Sequence, residues 1–84
     1  MRPIALVGHL HSCPMHGFGT VISGASSVTV NGRAVARIGD QTSCGAVIVT
    51  GSASTFGGAG VARKGDMTSH GGTLIEGDDS WMLD

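Results

Sequence analysis

Six side chains in this sequence are of the kind that hold a borderline-soft metal ion: His9, His11, Cys13, His16, Cys44 and His70. Four of them fall in one short stretch, Gly8-His-Leu-His-Ser-Cys-Pro-Met-His16. Mixed imidazole and thiolate donors are what tetrahedral Zn²⁺ prefers, at roughly 2.0–2.3 Å. Four protein ligands close such a site and leave no position for a reactive water, so the chemistry on offer is structural rather than hydrolytic. A closed zinc site contributes roughly 10–16 kcal/mol of apparent binding energy at neutral pH, against a typical net stability of about 5–15 kcal/mol. Metal would then decide whether this part of the chain is folded. A Cys13–Cys44 disulfide and simple buried thiols are the competing readings of the cysteines. Catalysis is not expected. Ser12, Ser43 and Ser69 lie beside the candidate donors but in no nucleophile-elbow pattern, and Glu76 and Asp78 read as a solvated turn.

The donors are spread by a repeat. Ala34-Val-Ala-Arg-Ile-Gly-Asp40 runs into Gln-Thr-Ser-Cys44-Gly, and Gly60-Val-Ala-Arg-Lys-Gly-Asp66 into Met-Thr-Ser-His70-Gly. The N-terminal stretch Pro3-Ile-Ala-Leu-Val-Gly-His9 runs into Leu-His-Ser-Cys13-Pro in the same register. Gly8, Gly39 and Gly65 therefore coincide, as do His9, Asp40 and Asp66, and then Cys13, Cys44 and His70. If the units pack around an axis, this last trio converges on it. Asp40 and Asp66 are expected to bond turn amides, with Arg33, Arg37 and Arg63 as charge partners, and His9 to take the same turn role.

The elements that must position these residues are short strands. Thr20–Gly24, Ala46–Gly51 and Thr73–Gly77 are β-branched or aliphatic runs bounded by glycine. After the first comes Ser27-Val-Thr-Val-Asn-Gly-Arg-Ala-Val-Ala, whose Asn31-Gly32 predicts a two-residue hairpin turn. Gly57-Gly58 occupies the matching place in the second unit. The third unit runs out at Trp81-Met-Leu-Asp84 before its returning strand, and Arg2–Gly8 is the strand it lacks. The prediction is an all-β domain over residues 1–84, made of three short β units with pseudo-threefold symmetry. The third unit is completed where the two termini meet. No apolar period of about 3.6 survives three turns, so helices are not expected.

Composition agrees. The chain has 84 residues, 15 of them glycine, with two Phe, one Trp and no Tyr, so a thick aromatic core is excluded. Hydrophobic residues make up 40% and charged ones only 13%, too apolar for a disordered segment. Five basic against six acidic residues, a net charge of −1, offer no phosphate-neutralising run, so nucleic acid is not an expected partner. No apolar stretch approaches the ~18 residues of a membrane-spanning helix, and the N-terminus is too short and too soon polar for a secretory signal.

Taken together, these motifs resemble the PAAR family, named for a Pro-Ala-Ala-Arg signature. The residues that carry the resemblance are Arg33-Ala-Val-Ala-Arg-Ile-Gly-Asp40, Gly60-Val-Ala-Arg-Lys-Gly-Asp66, His11-Ser-Cys-Pro-Met-His16, Asn31-Gly-Arg33 and Ser69-His-Gly-Gly72. The literal Pro-Ala-Ala-Arg is absent, and His9 stands where the pattern has Asp. The resemblance implies a small conical β fold with one structural Zn²⁺ near the apex, held by three histidines and one cysteine. On this sequence these are His11, Cys13, His16 and His70, whereas the repeat alone favours Cys44 over His11. It further implies a tip, one copy per spike, that caps a VgrG-like trimeric β-helical spike of the type VI secretion system. Such a tip is assembled in the cytoplasm, delivered outside the cell or into a target cell, and meets the target membrane transiently. Strand residues near Val28, Val30 and Val35 are the expected docking base. Both chain ends are used by the fold, so no toxin extension is expected, and effector proteins would be recruited as separate cargo. A phage or tailocin spike tip would use the same physics.

Overall fold

The computed structural model describes residues 2–14 and 17–83; His16 lies outside them, as do Met1, Met15 and Asp84. Nine strands are assigned among the described residues: β1 Arg2–Ile4, β2 Leu10–Cys13, β3 Gly17–Thr20, β4 Ala25–Val30, β5 Arg33–Val35, β6 Thr55–Phe56, β7 Ala59–Gly60, β8 Thr73–Leu74 and β9 Asp78–Leu83. No helix occurs among the described residues. The extents are 29 × 24 × 22 Å.

The repeat in the sequence is a threefold in space, and the backbone proves it. Ala5 N–H donates to the Ala62 carbonyl, Ala62 N–H to Ala36, and Ala36 N–H back to Ala5, at 3.0, 2.9 and 2.9 Å. This is a closed ring of three hydrogen bonds, one from each unit. A second ring joins Val7 to Ala34, Ile38 to Gly60 and Lys64 to Pro3 at 2.8–2.9 Å. A third joins Ile22 to Gln41, Val49 to Met67 and Ile75 to Leu10 at 2.9–3.1 Å. Such rings satisfy the backbone groups that burial near an axis would otherwise orphan. They also need thin side chains, which is why the first ring is all alanine, fully buried at each position.

Each unit sends out an antiparallel ribbon: β4–β5, β6–β7, and β9 with β1. Asn31-Gly32 turns the first with φ of 52° and 80°, and Gly57-Gly58 the second with 64° and 85°, as a two-residue turn of this hand requires. In the third ribbon Arg2 pairs with Leu83 and Pro3 with Met82, so the chain ends meet where the other units have their turns. The expected closure of the third unit by the termini is what the structure shows.

Three of the expected runs are less regular than predicted. Ala46–Gly51 forms only isolated bridges, Gln41 with Val47 and Ile48 with Thr68, and Thr73–Gly77 keeps just Thr73–Leu74 as strand. Thr20–Gly24 survives as the last residue of β3 and a bridge from Val21 to Thr42. Each of these runs leaves one unit and joins the next around the axis, so it stays beside any one partner for only a residue or two.

The core is layered. Ala5, Ala36 and Ala62 pack with Val21, Ile48 and Leu74, one of each from every unit. Ile4, Val35 and Val61 form the neighbouring cluster with Leu6 and Leu83, against which Val28, Val30 and Phe56 pack. Val35 is fully buried, which removes it from the expected docking base and leaves Val28 and Val30 as part-buried ribbon residues.

The turn acids behave as expected, with one asymmetry. Arg37 N–H and Arg63 N–H donate to Asp40 and Asp66 Oδ2, both at 2.7 Å, and Leu6 N–H donates to His9 Nδ1 at 3.0 Å. Ser23 Oγ and Thr50 Oγ1 accept from Gln41 and Met67 N–H, and Glu76 Oε1 accepts from Leu10 N–H in the equivalent place. The third junction thus places an imidazole and a carboxylate where the others place a carboxylate and a hydroxyl. Arg37 and Arg63 pair with Asp40 and Asp66, while Arg2, which the sequence did not single out, also reaches Asp66 at 3.2 Å.

Candidate metal centre

The donors stand on three turns that follow the turn acids. In the second and third units, Thr42-Ser-Cys44-Gly and Thr68-Ser-His70-Gly close tightly. Gly45 N–H donates to Thr42 and Gly71 N–H to Thr68, both at 3.0 Å, with Gly45 and Gly71 at φ of 86° and 79°. The first unit differs: eight residues, not four, separate its donor Cys13 from the core residue Val21 that matches Ile48 and Leu74. The extra length makes the β2–β3 hairpin, in which Cys13 pairs with Gly17 and His11 with Gly19. Ser43 and Ser69, beside the donors, accept from Thr20 and Val47 N–H at 3.1 Å; their role is to brace the turns.

His11 occupies the layer of Thr42 and Thr68, and all three are buried, His11 completely. Its ring lies against Gly19, where a Cβ would come within 2.6 Å of His11 Cε1. His11 Nδ1 is buried without a hydrogen-bond partner, and Nε2 faces Cys44 Sγ at 3.2 Å. His70 Nδ1 lies 3.6 Å from Cys13 Sγ and 3.7 Å from Cys44 Sγ. The ligand atoms of His11, Cys13 and Cys44 all fall within 4.8 Å of one another. Both cysteines are free thiols, which sets aside the disulfide reading.

This spacing fits zinc. A tetrahedral ion with sulfur at ~2.3 Å and nitrogen at ~2.0 Å sets mixed nitrogen–sulfur neighbours about 3.5 Å apart. The separations of 3.2, 3.6 and 3.7 Å bracket that value. The Cys44 thiol is lowered to about 5, first by its hydrogen bond with the Thr42 hydroxyl. Burial opposes this; contacts with the Ala46 backbone, His11 and Cys13 assist it. Thiolate is the form that binds metal.

Of the four residues that the resemblance named, the structure groups His11 and Cys13 with Cys44 and sets His70 beside the two sulfurs. His16 lies outside the described residues. Thr42 escaped the sequence reading, though its place two residues before Cys44, in the register of His11, was the available signal. Gly19 escaped it too, because nothing in the sequence says which glycine a buried ring will lie against.

The sequence model of the PAAR motif matches residues 1–50, more than half of the chain. The chain belongs to the PAAR motif family. A comparison with curated proteins returns no match. The match to the PAAR motif covers the first unit and the second through its donor turn, including His11, Cys13 and Cys44. The third unit with His70 lies beyond it and is tied to the other two by the hydrogen-bond rings. As a PAAR-type protein, the chain is of the kind associated with type VI secretion spikes.

Proposed function

We propose that this chain is the zinc-stabilised tip of a type VI secretion spike. One copy caps the blunt end of a VgrG-like trimeric β-helix, sharpens it for puncture of a target membrane, and recruits effector proteins as separate cargo. Assembly takes place in the cytoplasm, and the injection apparatus carries the tip out. The role is structural.

The observation that carries this reading is the closed threefold built from one chain. Three ribbons, β4–β5, β6–β7 and β9–β1, repeat around the axis, and a true trimer end offers the same three directions. A pseudo-threefold cap can place one ribbon on each subunit and cover strand edges that would otherwise invite aggregation. Val28, Val30 and Phe56 are only part-buried on these ribbons and supply apolar docking surface. The donor turns belong to the other end of each unit. Zinc held by His11, Cys13 and His70 with a fourth donor would add a cross-link between the units to the hydrogen bonds that brace the donor turns, a cross-link suited to an end that meets mechanical load.

The test is stoichiometry and position. Mixed with a VgrG-type trimer, the zinc-loaded chain is expected to give a complex of one chain to three spike subunits by native mass spectrometry, with added density at the blunt end by electron microscopy. Val28→Glu with Val30→Glu is expected to abolish it. Three chains per trimer, or none, would refute the capping role.

A further inference from the structure

We infer that Cys44, and not His16, completes the metal set, so that this chain holds its zinc through two thiolates and two imidazoles. The inference rests on the zinc reading above and departs from the three-histidine, one-cysteine set that the family resemblance implied.

Position is the first argument. Cys13, Cys44 and His70 are equivalent in the repeat, and the hydrogen-bond rings show that equivalent residues stand around one axis. An ion on that axis is approached from all three units. The second argument is distance. Cys44 Sγ lies 3.2 Å from His11 Nε2 and 3.7 Å from His70 Nδ1, so it stands beside both imidazoles. Cys13 Sγ stands 3.6 Å from His70 Nδ1. The ligand atoms of His11, Cys13 and Cys44 lie within 4.8 Å of one another, and His70 Nδ1 stands beside both sulfurs, so Cys44 Sγ is the atom that touches both imidazoles. Zinc in structural sites is almost always four-coordinate, so these four leave no place for a fifth.

The surroundings make the same point. Thr42 Oγ1 lies 3.4 Å from Cys44 Sγ and 3.2 Å from the Ala46 carbonyl, so its single proton can turn from the carbonyl to the sulfur when Cys44 is a thiolate. Partners of this kind orient a ligand and stabilise its anionic form. Charge adds a reason. Two thiolates cancel the two positive charges of zinc, while one leaves a net positive ion beside a fully buried His11. Uncompensated charge is costly to desolvate. A neutral site also suits a tip that passes through an apolar layer.

Cobalt(II), which takes the zinc geometry and reports thiolate ligands by sulfur-to-metal charge transfer in the near ultraviolet, is the probe. The full chain loaded with cobalt alone is expected to show a tetrahedral visible spectrum with charge-transfer intensity that halves in Cys13→Ser and halves in Cys44→Ser. His16→Ala is expected to keep both the metal and the full intensity. Unchanged intensity in Cys44→Ser, with loss of metal in His16→Ala, would overturn the inference and leave the zinc reading standing. A wild-type chain that binds neither cobalt nor zinc would overturn both. Should Cys44→Ser fail to fold, alkylation of the zinc-loaded wild type decides the matter. Both thiols are expected to resist iodoacetamide until zinc is chelated, and Cys44 labelled while zinc remains bound would overturn the inference.

Discussion

Asp40 and Asp66 occupy equivalent turns, yet replacing each by Asn should have very different consequences. Asp66 is 2% exposed and accepts from Arg63 N–H at 2.7 Å, from the Arg63 side chain at 3.1 and 3.0 Å, from Thr50 Oγ1 at 3.0 Å and from Arg2 at 3.2 Å. The Arg63 side chain is itself only 12% exposed. Removing one partner of a buried pair typically costs ~3–5 kcal/mol. The partial exposure of Arg63 moderates this, and the Arg2 contact, 42% exposed, adds at most a few tenths. Asp66→Asn is therefore expected to cost about 2–4 kcal/mol. Asp40 keeps the backbone bond to Arg37 at 2.7 Å, but the Arg37 Nε contact is 3.7 Å, too long for a hydrogen bond. An Asn carbonyl can still accept from Arg37 N–H, so Asp40→Asn loses mainly the Ser23 bond, about 1 kcal/mol. Thermal or urea unfolding of the zinc-saturated proteins measures both, each 1 kcal/mol moving the midpoint by roughly 4–8 °C.

The same pair carries a pH signature. Burial pushes the Asp66 carboxyl up, but hydrogen bonds from Arg63 and Thr50 outweigh it and hold the group below its ordinary 3.8. A depressed carboxylate contributes its stability above the unfolded pKa and loses it as pH falls through the folded value. The gap between wild type and Asp66→Asn should be full at pH 7 and close only below about pH 4. Metal loss in acid is common to all three proteins and cancels from the comparison. Equal costs for the two substitutions, or a gap that does not shrink in acid, would refute the argument that Arg63 and Asp66 form a buried, charge-dependent clasp.

Two further outcomes follow from the asymmetries of the repeat. His9→Asp places a carboxylate beside Glu76 and is expected to cost about 1 kcal/mol, as is Glu76→Ser. The double variant restores the Asp–hydroxyl pattern of the other junctions and should lie within ~0.5 kcal/mol of wild type, while simple additivity would deny the pairing. Gly19→Ala pushes a Cβ to within 2.6 Å of the His11 ring and 2.5 Å of Ser43 Oγ. It is expected to weaken zinc binding, read by chelator competition, about tenfold or more, because the ring must shift. Unchanged affinity would show that Gly19 does not seat His11.

Much of this molecule could be read in its sequence because the repeat repeats chemistry as well as spacing. Asn31-Gly32 and Gly57-Gly58 announced two ribbons, and the unpaired Arg2–Gly8 stretch announced how the third would close. The register of Asp40, Asp66 and His9 foretold their shared turn bond, even across a change from carboxylate to imidazole. The strands were harder to read. Ala46–Gly51 has strand composition but spends its backbone bonds on two different neighbours, and composition does not count partners. Val35 read as docking surface because alternation shows which residues share a face, not which face a threefold axis will bury. The choice between Cys44 and His11 stayed open because the repeat favoured one and the family pattern the other; in the fold the two are not alternatives, since Cys44 Sγ stands 3.2 Å from His11 Nε2.

Covalent linkage of the three units explains why this architecture suits the metal-bound tip proposed above. In a homotrimer each layer on the axis would carry three copies of one residue, and a tetrahedral ion there would meet three identical donors. Here a layer can stay symmetric where the backbone demands it and diverge where the chemistry does. The alanine layer is identical in all units because its three hydrogen bonds admit nothing larger. The next varies only in shape, as Val21, Ile48 and Leu74. Towards the donor turns the layers become His11, Thr42 and Thr68, then Cys13, Cys44 and His70, so that candidate donors rise from two heights and from different units. A ring of three donors plus one from the layer beneath is the arrangement a four-coordinate ion needs on a threefold axis. The β2–β3 hairpin is longer in one unit only, an asymmetry that a chain can carry and a symmetric trimer cannot. Threefold shape at the ribbon end and broken symmetry at the donor end are two demands met by one polypeptide.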